Sequence, residues 1–146
     1  MRHLPISLNL RGQRVVIAGA GETALAKLRL LLKTEANLLV FGAAPMTEIA
    51  GLASAGKFTL VQRAVESADL AGARLVYAAN GDAAADARVV GLAHAAGVLC
   101  NSVDNLEASD FLTPAIVDRD PVTVAIGTEG CAPVLARQIK DRKSVV

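Results

Sequence analysis

Apolar residues fall along this chain in short blocks, and the spacing inside the blocks alternates between two kinds. Val15 to Ala18 is a continuous apolar run with β-branched residues, the pattern of a strand buried on both faces. From Glu22 onward the period changes. Ala24, Leu28, Leu31 and Leu32 recur at helical spacing, while Lys27, Arg29 and Lys33 fall elsewhere around the axis, so an amphipathic helix follows. "NLLVF", Asn37 to Phe41, predicts a second strand; "GAAP" comes next, with a helix whose first turn begins at Pro45, where a missing N–H costs nothing. "KFTLV" at 57–61 and "RLVYAA" at 74–79 predict a third and a fourth strand, separated by the turn-rich "ESADLAG". The Ala-rich segment from Ala83 to Ala96 predicts a helix ended by Gly97, and "VLCN" a short fifth strand.

This alternation predicts an α/β fold, a Rossmann-like doubly wound parallel sheet occupying residues 1–110. Beyond Asn101 the texture changes. "FLTPAIVDRDPVTVAIGT" holds two β-rich runs around the polar turn Asp118-Arg119-Asp120-Pro121, which predicts a β-hairpin or extended arm. "APVLARQIKDRK" predicts a C-terminal helix with Pro133 in its first turn; Arg137, Lys140, Arg142 and Lys143 lie toward the end where cations suit the helix dipole. Residues 111–146 therefore form a second region.

Composition sharpens this picture. Of the 146 residues 53% are apolar but only 3% aromatic, so the core must be aliphatic, as suits parallel strands covered by Ala-rich helices. Fifteen basic residues nearly balance fourteen acidic ones, which leaves no broad field to attract nucleic acid or an anionic membrane. Cys100 and Cys131 are too few for a disulfide framework or a zinc site, so free thiols and no metal site are expected. The opening "MRHLPISLNLRG" lacks the long apolar region and small-residue cleavage site of a signal peptide, and no apolar stretch reaches bilayer length. A cytoplasmic protein is the expectation.

The candidate chemistry begins at the first strand-to-helix junction. A dinucleotide turn needs glycine where the strand turns, a second where backbone approaches the pyrophosphate, and a small third residue where helix meets sheet; Gly19, Gly21 and Ala24 meet these demands. The N–H groups around Glu22 and Thr23 would then face phosphate oxygens. A purely structural turn is the competing reading of the same glycines, and placement between strand and helix favours the nucleotide. Where an acidic residue would hold the ribose hydroxyls the chain has Phe41-Gly42-Ala43-Ala44, with no arginine in that stretch, so the ribose falls to backbone groups and the choice between NAD and NADP stays open. Glu22 reads otherwise as a favourable acid in a first helical turn.

Two further loops follow predicted strand ends, where the ligand crevice of such a sheet lies. In "AANGD" at 78–82, Asn80 would cover one side of a cofactor, or else Asn80 or Asp82 caps the next helix. In "CNSVDN" at 100–105, Asp104 could take a proton, although on spacing alone a turn or helix cap is the stronger reading. His3 and His94 share no ligand spacing with other donors. Cys100 reads as a small strand hydrophobe and Cys131 as structural filler. "GTEGCAP" at 127–133 leads glycines into a helix start and could take an anion.

Together, "HLPISLNLRGQRVVIAGAGETALAKLRLLL", "ADLAGARLVYAAN", "CNSVDN", "FLTPAIVDRDPVTVAIGTEG" and "APVLAR" resemble the N-terminal part of the siroheme synthase family, from about His3 to Arg137. The resemblance implies NAD-dependent oxidation of precorrin-2 to sirohydrochlorin, a tetrapyrrole, with Fe(II) as a second substrate if metal insertion follows. It implies that Asp104 is the acid/base group, against the reading from spacing. It places NAD contacts at Glu22, Thr23, Ala43 and Ala44, and makes Asn101 and Thr128 candidate substrate contacts. It also implies a homodimer that exchanges extended arms, which suits Phe111 to Gly127. Family members often carry "SSGGTSP" where this chain has "GTEGCAP", so Thr128 keeps a hydroxyl and Glu129 adds a negative charge. They usually continue past the position of Val146 into a helical region, so that region is expected to be only begun here. The rival reading is a non-catalytic NAD(P)-binding or sensing module.

Overall fold

The computed structural model describes residues 1–143, so the last three residues of the second region lie outside it. By its packing the chain divides into an α/β unit, Leu8–Asp110, and an arm unit made of Met1–Ser7 with the chain from Phe111 onward.

In the α/β unit the first apolar run forms β1 (Arg14–Ala18), followed by α1 (Glu22–Leu31), β2 (Asn37–Phe41), α2 (Thr47–Ser54), β3 (Thr59–Val61), a 3-10 turn (Ser67–Leu70), β4 (Ala73–Ala78), α3 (Ala83–Ala95) and β5 (Leu99–Ser102). The five strands are parallel in the order β3-β2-β1-β4-β5. The doubly wound sheet read from the sequence is therefore present. Val15, Val16 and Ile17 have no exposed surface, because β1 lies at the centre of the sheet with both faces covered. Winding reverses between β1 and β4, and that switch point opens a crevice at the carboxyl ends of the strands.

α1 buries Ala24, Leu25, Leu28 and Leu31 in one stripe. Leu32, expected on that stripe, is the half-buried residue that ends the helix, and Leu25 fills the place instead. α2 starts two residues later than proline placement suggests, because the Met46 N–H still donates to the Ala20 carbonyl (3.0 Å) before Ala50 makes a helical bond back to Met46 (3.1 Å). β3 is shorter than 57–61: Gly56, at φ 75°, and Lys57 donate back to Ala53 and Leu52 and complete the end of α2. β5 is an edge strand whose outer side is closed by side chains from the following loop. Cys100 N–H donates to Asp110 Oδ2 (2.9 Å) and Ser102 N–H to Ser109 Oγ (2.9 Å), while Asp110 N–H donates to the Cys100 carbonyl (2.8 Å). That staple protects the edge and fixes the loop between.

In the arm unit β6 (Ala115–Arg119) and β7 (Val122–Ile126) pair antiparallel, and α4 runs Pro133–Lys143. Asp118 pairs with Thr123 and Arg119 with Val122, so these two residues belong to the ladder and the turn is Asp120-Pro121, joined by a cis bond. Among the described residues no helix is long and apolar enough to cross a membrane.

Candidate functional site

The glycine turn is built from the end of β1 outward. Gly19 N–H donates to the Phe41 carbonyl (2.7 Å) and Ala79 N–H to the Ala18 carbonyl (2.8 Å), so the turn is tied to both neighbouring strands. Gly19 has φ 129°, and a Cβ there would run into the Ala79 carbonyl. No other residue type fits that position. Gly21 is the N-cap of α1 and differs in kind: its backbone is extended, and a Cβ would meet nothing within 4 Å. No side chain caps this helix start, so the N–H groups of Glu22 and Thr23 open onto the space in front of Gly21. Ala24 is fully buried where α1 meets the sheet. A cradle of backbone donors with a small residue behind it fits a pyrophosphate. Glu22 is exposed at this end of the helix.

The loop after β2 carries Ala43 and Ala44, both exposed, and is pinned by Gly42 N–H to the Val61 carbonyl (3.1 Å) and Met46 N–H to the Ala20 carbonyl (3.0 Å). It leaves backbone groups available where the ribose acid is missing. That stretch itself holds no arginine. An arginine does stand at this corner, brought from beyond β3: the Arg63 guanidinium lies 5.4 Å from the centre of the Phe41 ring and forks onto Asp69 at 2.7 and 2.8 Å. A local window around Phe41 misses it, whereas the pairing of β2 with β3 places residues just past Val61 beside those just past Phe41.

At the switch point a cleft of about 320 Å³ is lined by Thr23 from α1, Gly81 and Asp86 from the β4–α3 region, and Ser102, Asp104 and Asn105 from the end of β5. Asp104 is exposed and takes φ 63°, a left-handed turn conformation that Asp tolerates. Asn105 N–H donates back to the Ser102 carbonyl (3.0 Å), and Ser109 Oγ donates to the Asn105 carbonyl (2.7 Å), so the turn that presents Asp104 is braced on both sides. Asp82 caps α3 through Ala85 N–H (2.7 Å). The Asn80 backbone and side-chain N–H groups both donate to Asp86 Oδ1 at 2.9 Å, which satisfies a carboxylate that is nearly buried. Lys27, one turn along α1 from Thr23, holds its ammonium 5.9 Å from the centre of the Tyr77 ring; burial lowers its pKa and the Asp104 carboxylate acts in the opposite sense.

The structure thus gathers Gly19, Gly21, Glu22, Thr23, Ala24, Asn80 and Asp104 around the carboxyl ends of β1, β4 and β5, with Ala43 and Ala44 one strand away. Asn101 is buried within β5, opposite Tyr77. Thr128 belongs to the arm unit. Outside the cleft, burial pushes the Cys100 thiol up to about 11, consistent with a strand hydrophobe. His94 pairs with Asp110 at 3.0 Å, within the staple on β5. Among the described residues no three His, Cys, Asp or Glu side chains come together as a metal site.

The sequence model of a family described as putative NAD(P)-binding matches residues 6–115. The chain belongs to this NAD(P)-binding family. The matched span contains the glycine turn, both cleft loops and the whole five-stranded sheet. Curated relatives include the siroheme synthases of Chromobacterium violaceum, 44% identical over 97% of this chain, and of Methylococcus capsulatus, 43% identical over the same share. The chain spans about 30% of the length of those relatives. A solved structure described as SirC, precorrin-2 dehydrogenase, has the same fold, with a TM-score of 0.81 over 98% of this chain and 70% of that one at 23% identity.

Proposed function

We propose that this NAD(P)-binding chain oxidises precorrin-2 to sirohydrochlorin with NAD, as one part of sirohaem synthesis. The observation that carries the reading is a cleft lined both by Thr23 of the dinucleotide turn and by Asp104. Similarity to siroheme synthases supports the substrate class.

The bound nicotinamide supplies the hydride acceptor. The residues of the chain do the rest. Gly19 makes the turn, Gly21 leaves room for the pyrophosphate, and the Glu22, Thr23 and Ala24 segment offers N–H donors at a positive helix end. Ala43 and Ala44 hold the ribose through backbone, and Asn80 fixes Asp86 beside the cofactor. Asp104, braced in its turn and open to solvent, accepts the proton that leaves the macrocycle as hydride departs. The same carboxylate could take pyrrole protons during Fe(II) insertion, so the metal is a substrate rather than a resident ion. Asn101 is assigned to the tetrapyrrole. We further assign the region from Phe111 to a homodimer contact and the protein to the cytoplasm.

The test is anaerobic incubation of the protein with precorrin-2 and NAD, followed by absorption. Wild-type protein should form sirohydrochlorin, and Asp104→Asn should lose about 10²- to 10⁴-fold in rate, the usual contribution of a general base, while still binding NAD. Full activity of Asp104→Asn removes the assignment. A melting shift with NAD but no turnover by the wild type would instead support a binding or sensing module.

A further inference from the structure

Dinucleotide folds set the sign of charge beside the adenosine ribose. A carboxylate after the second strand binds both hydroxyls and repels a 2′-phosphate, and an arginine nearby accepts it. In this chain the carboxylate position is Phe41, and its ring is approached by the guanidinium of Arg63. A guanidinium therefore stands where such folds often carry a carboxylate, although Asp69 pairs with it. We propose that Arg63 is the specificity-determining residue at the adenosine end and makes the site accept NADP as well as NAD, with Asp69 as the counter-charge that limits the preference. This rests on the dinucleotide reading of the glycine turn.

Arg63 is held in place rather than waving in solvent. Nη1 donates to the Ala64 carbonyl (3.0 Å) and to Asp69 Oδ2 (2.7 Å), and Nη2 donates to Asp69 Oδ1 (2.8 Å). A guanidinium carries five N–H donors, so Nε and one Nη2 hydrogen remain for a ligand. The side chain is 45% exposed, which leaves those donors reachable. Asp69 is fixed in turn, because Oδ2 also accepts the Glu66 N–H (2.7 Å) and the Glu66 side chain accepts from the Asp69 backbone, closing a capping box on the 3-10 turn. Glu66 is therefore a second negative group in this corner. Two carboxylates against one guanidinium leave no net positive field at the corner, so a phosphate is received by the directed free donors of Arg63 alone, which predicts tolerance rather than a demand.

Calorimetric titration of the whole chain with NAD and, separately, with NADP reads the inference directly. The wild type should bind NADP within about tenfold of NAD. Arg63→Gln should weaken NADP by about tenfold and NAD by less than about threefold, as expected when one charge-assisted contact to a phosphate is lost. Asp69→Asn keeps an oxygen for the Glu66 N–H but removes the counter-charge, and should tighten NADP several-fold with NAD little changed. This gain separates the effect from misfolding, which could only weaken binding. If either variant leaves the NADP to NAD ratio unchanged, or the wild type binds NAD and rejects NADP, the inference fails while the cofactor site stands. If neither nucleotide binds, the dinucleotide reading fails and takes the inference with it.

Discussion

The α/β unit and the arm unit place their apolar residues in opposite ways. In Leu8–Asp110 large apolar side chains are drawn onto the sheet, and Val16, Val40, Phe41, Leu70, Val76 and Cys100 are essentially without exposed surface. In the arm unit Val117 and Ala136 are buried, while Leu4 is 72% and Val134 67% exposed, and Ile6, Val122 and Leu135 also lie in solvent. Five parallel strands covered by helices can bury their own core; a hairpin with one helix cannot. The first unit is a self-sufficient scaffold for a cofactor turn. The second leaves several large apolar side chains in solvent.

The largest effect should come from breaking the scaffold at its tightest point. Gly19→Ala adds a Cβ that meets the Ala79 carbonyl and forces a side chain into a backbone conformation reserved for glycine, so a loss of about 3 kcal/mol or more is expected from strain and clash together. Gly21→Ala has open space around it and should leave the melting temperature nearly unchanged while weakening NAD binding, because the new methyl group occupies the approach to the pyrophosphate. Thermal melting with and without NAD distinguishes the two. Equal loss of stability in both variants would mean that the turn is structural throughout.

The arm should respond differently. If the exposed apolar set is what a second copy covers, Val134→Lys with Leu135→Lys should shift sedimentation toward the monomer and leave the melting of the α/β unit in place. A dimer that survives both charges would require another surface.

The contrast also explains what could be read from the chain alone. The strands and helices of the α/β unit were legible because β1, β2 and β4 are continuous apolar runs and because glycines mark their ends, so the period changes where the structure changes. Boundaries moved by a residue or two where a long-range bond decides the matter, as at Met46 with Ala20. The glycine turn was legible for the same local reason. Arg63 was not: it lies 22 residues from Phe41 in sequence, and only the order of the parallel strands brings the two together. Asp104 lies between. Its loop position follows from the end of β5, but the bracing by Ser109 and the shared cleft with Thr23 depend on the folded chain. The pairing of His3 with Glu129 spans nearly the whole sequence, so no spacing rule could have announced it.

That last pairing gives the smallest and most local test. Glu129 takes φ 53° and its carboxylate gathers three donors from the first residues: His3 Nδ1 at 2.6 Å, Arg2 N–H at 3.1 Å and His3 N–H at 3.2 Å. The His3 side-chain bond, then its backbone N–H, hold the Glu129 carboxyl below the ordinary carboxylate range. A carboxyl depressed on folding contributes stability that is fully present above its unfolded pKa and lost as pH falls through the folded value. The N-terminal segment should therefore release from the arm unit in the acid range, with the Arg2 and His3 amide signals shifting together by NMR, while the α/β unit, which contains neither partner, keeps its spectrum at the onset. Glu129→Gln keeps an oxygen acceptor but removes the charge, so the acid step should vanish. An unchanged step in that variant would assign it to another carboxyl, and the tie between the first residues and the 127–133 loop would then not depend on the ionisation of Glu129.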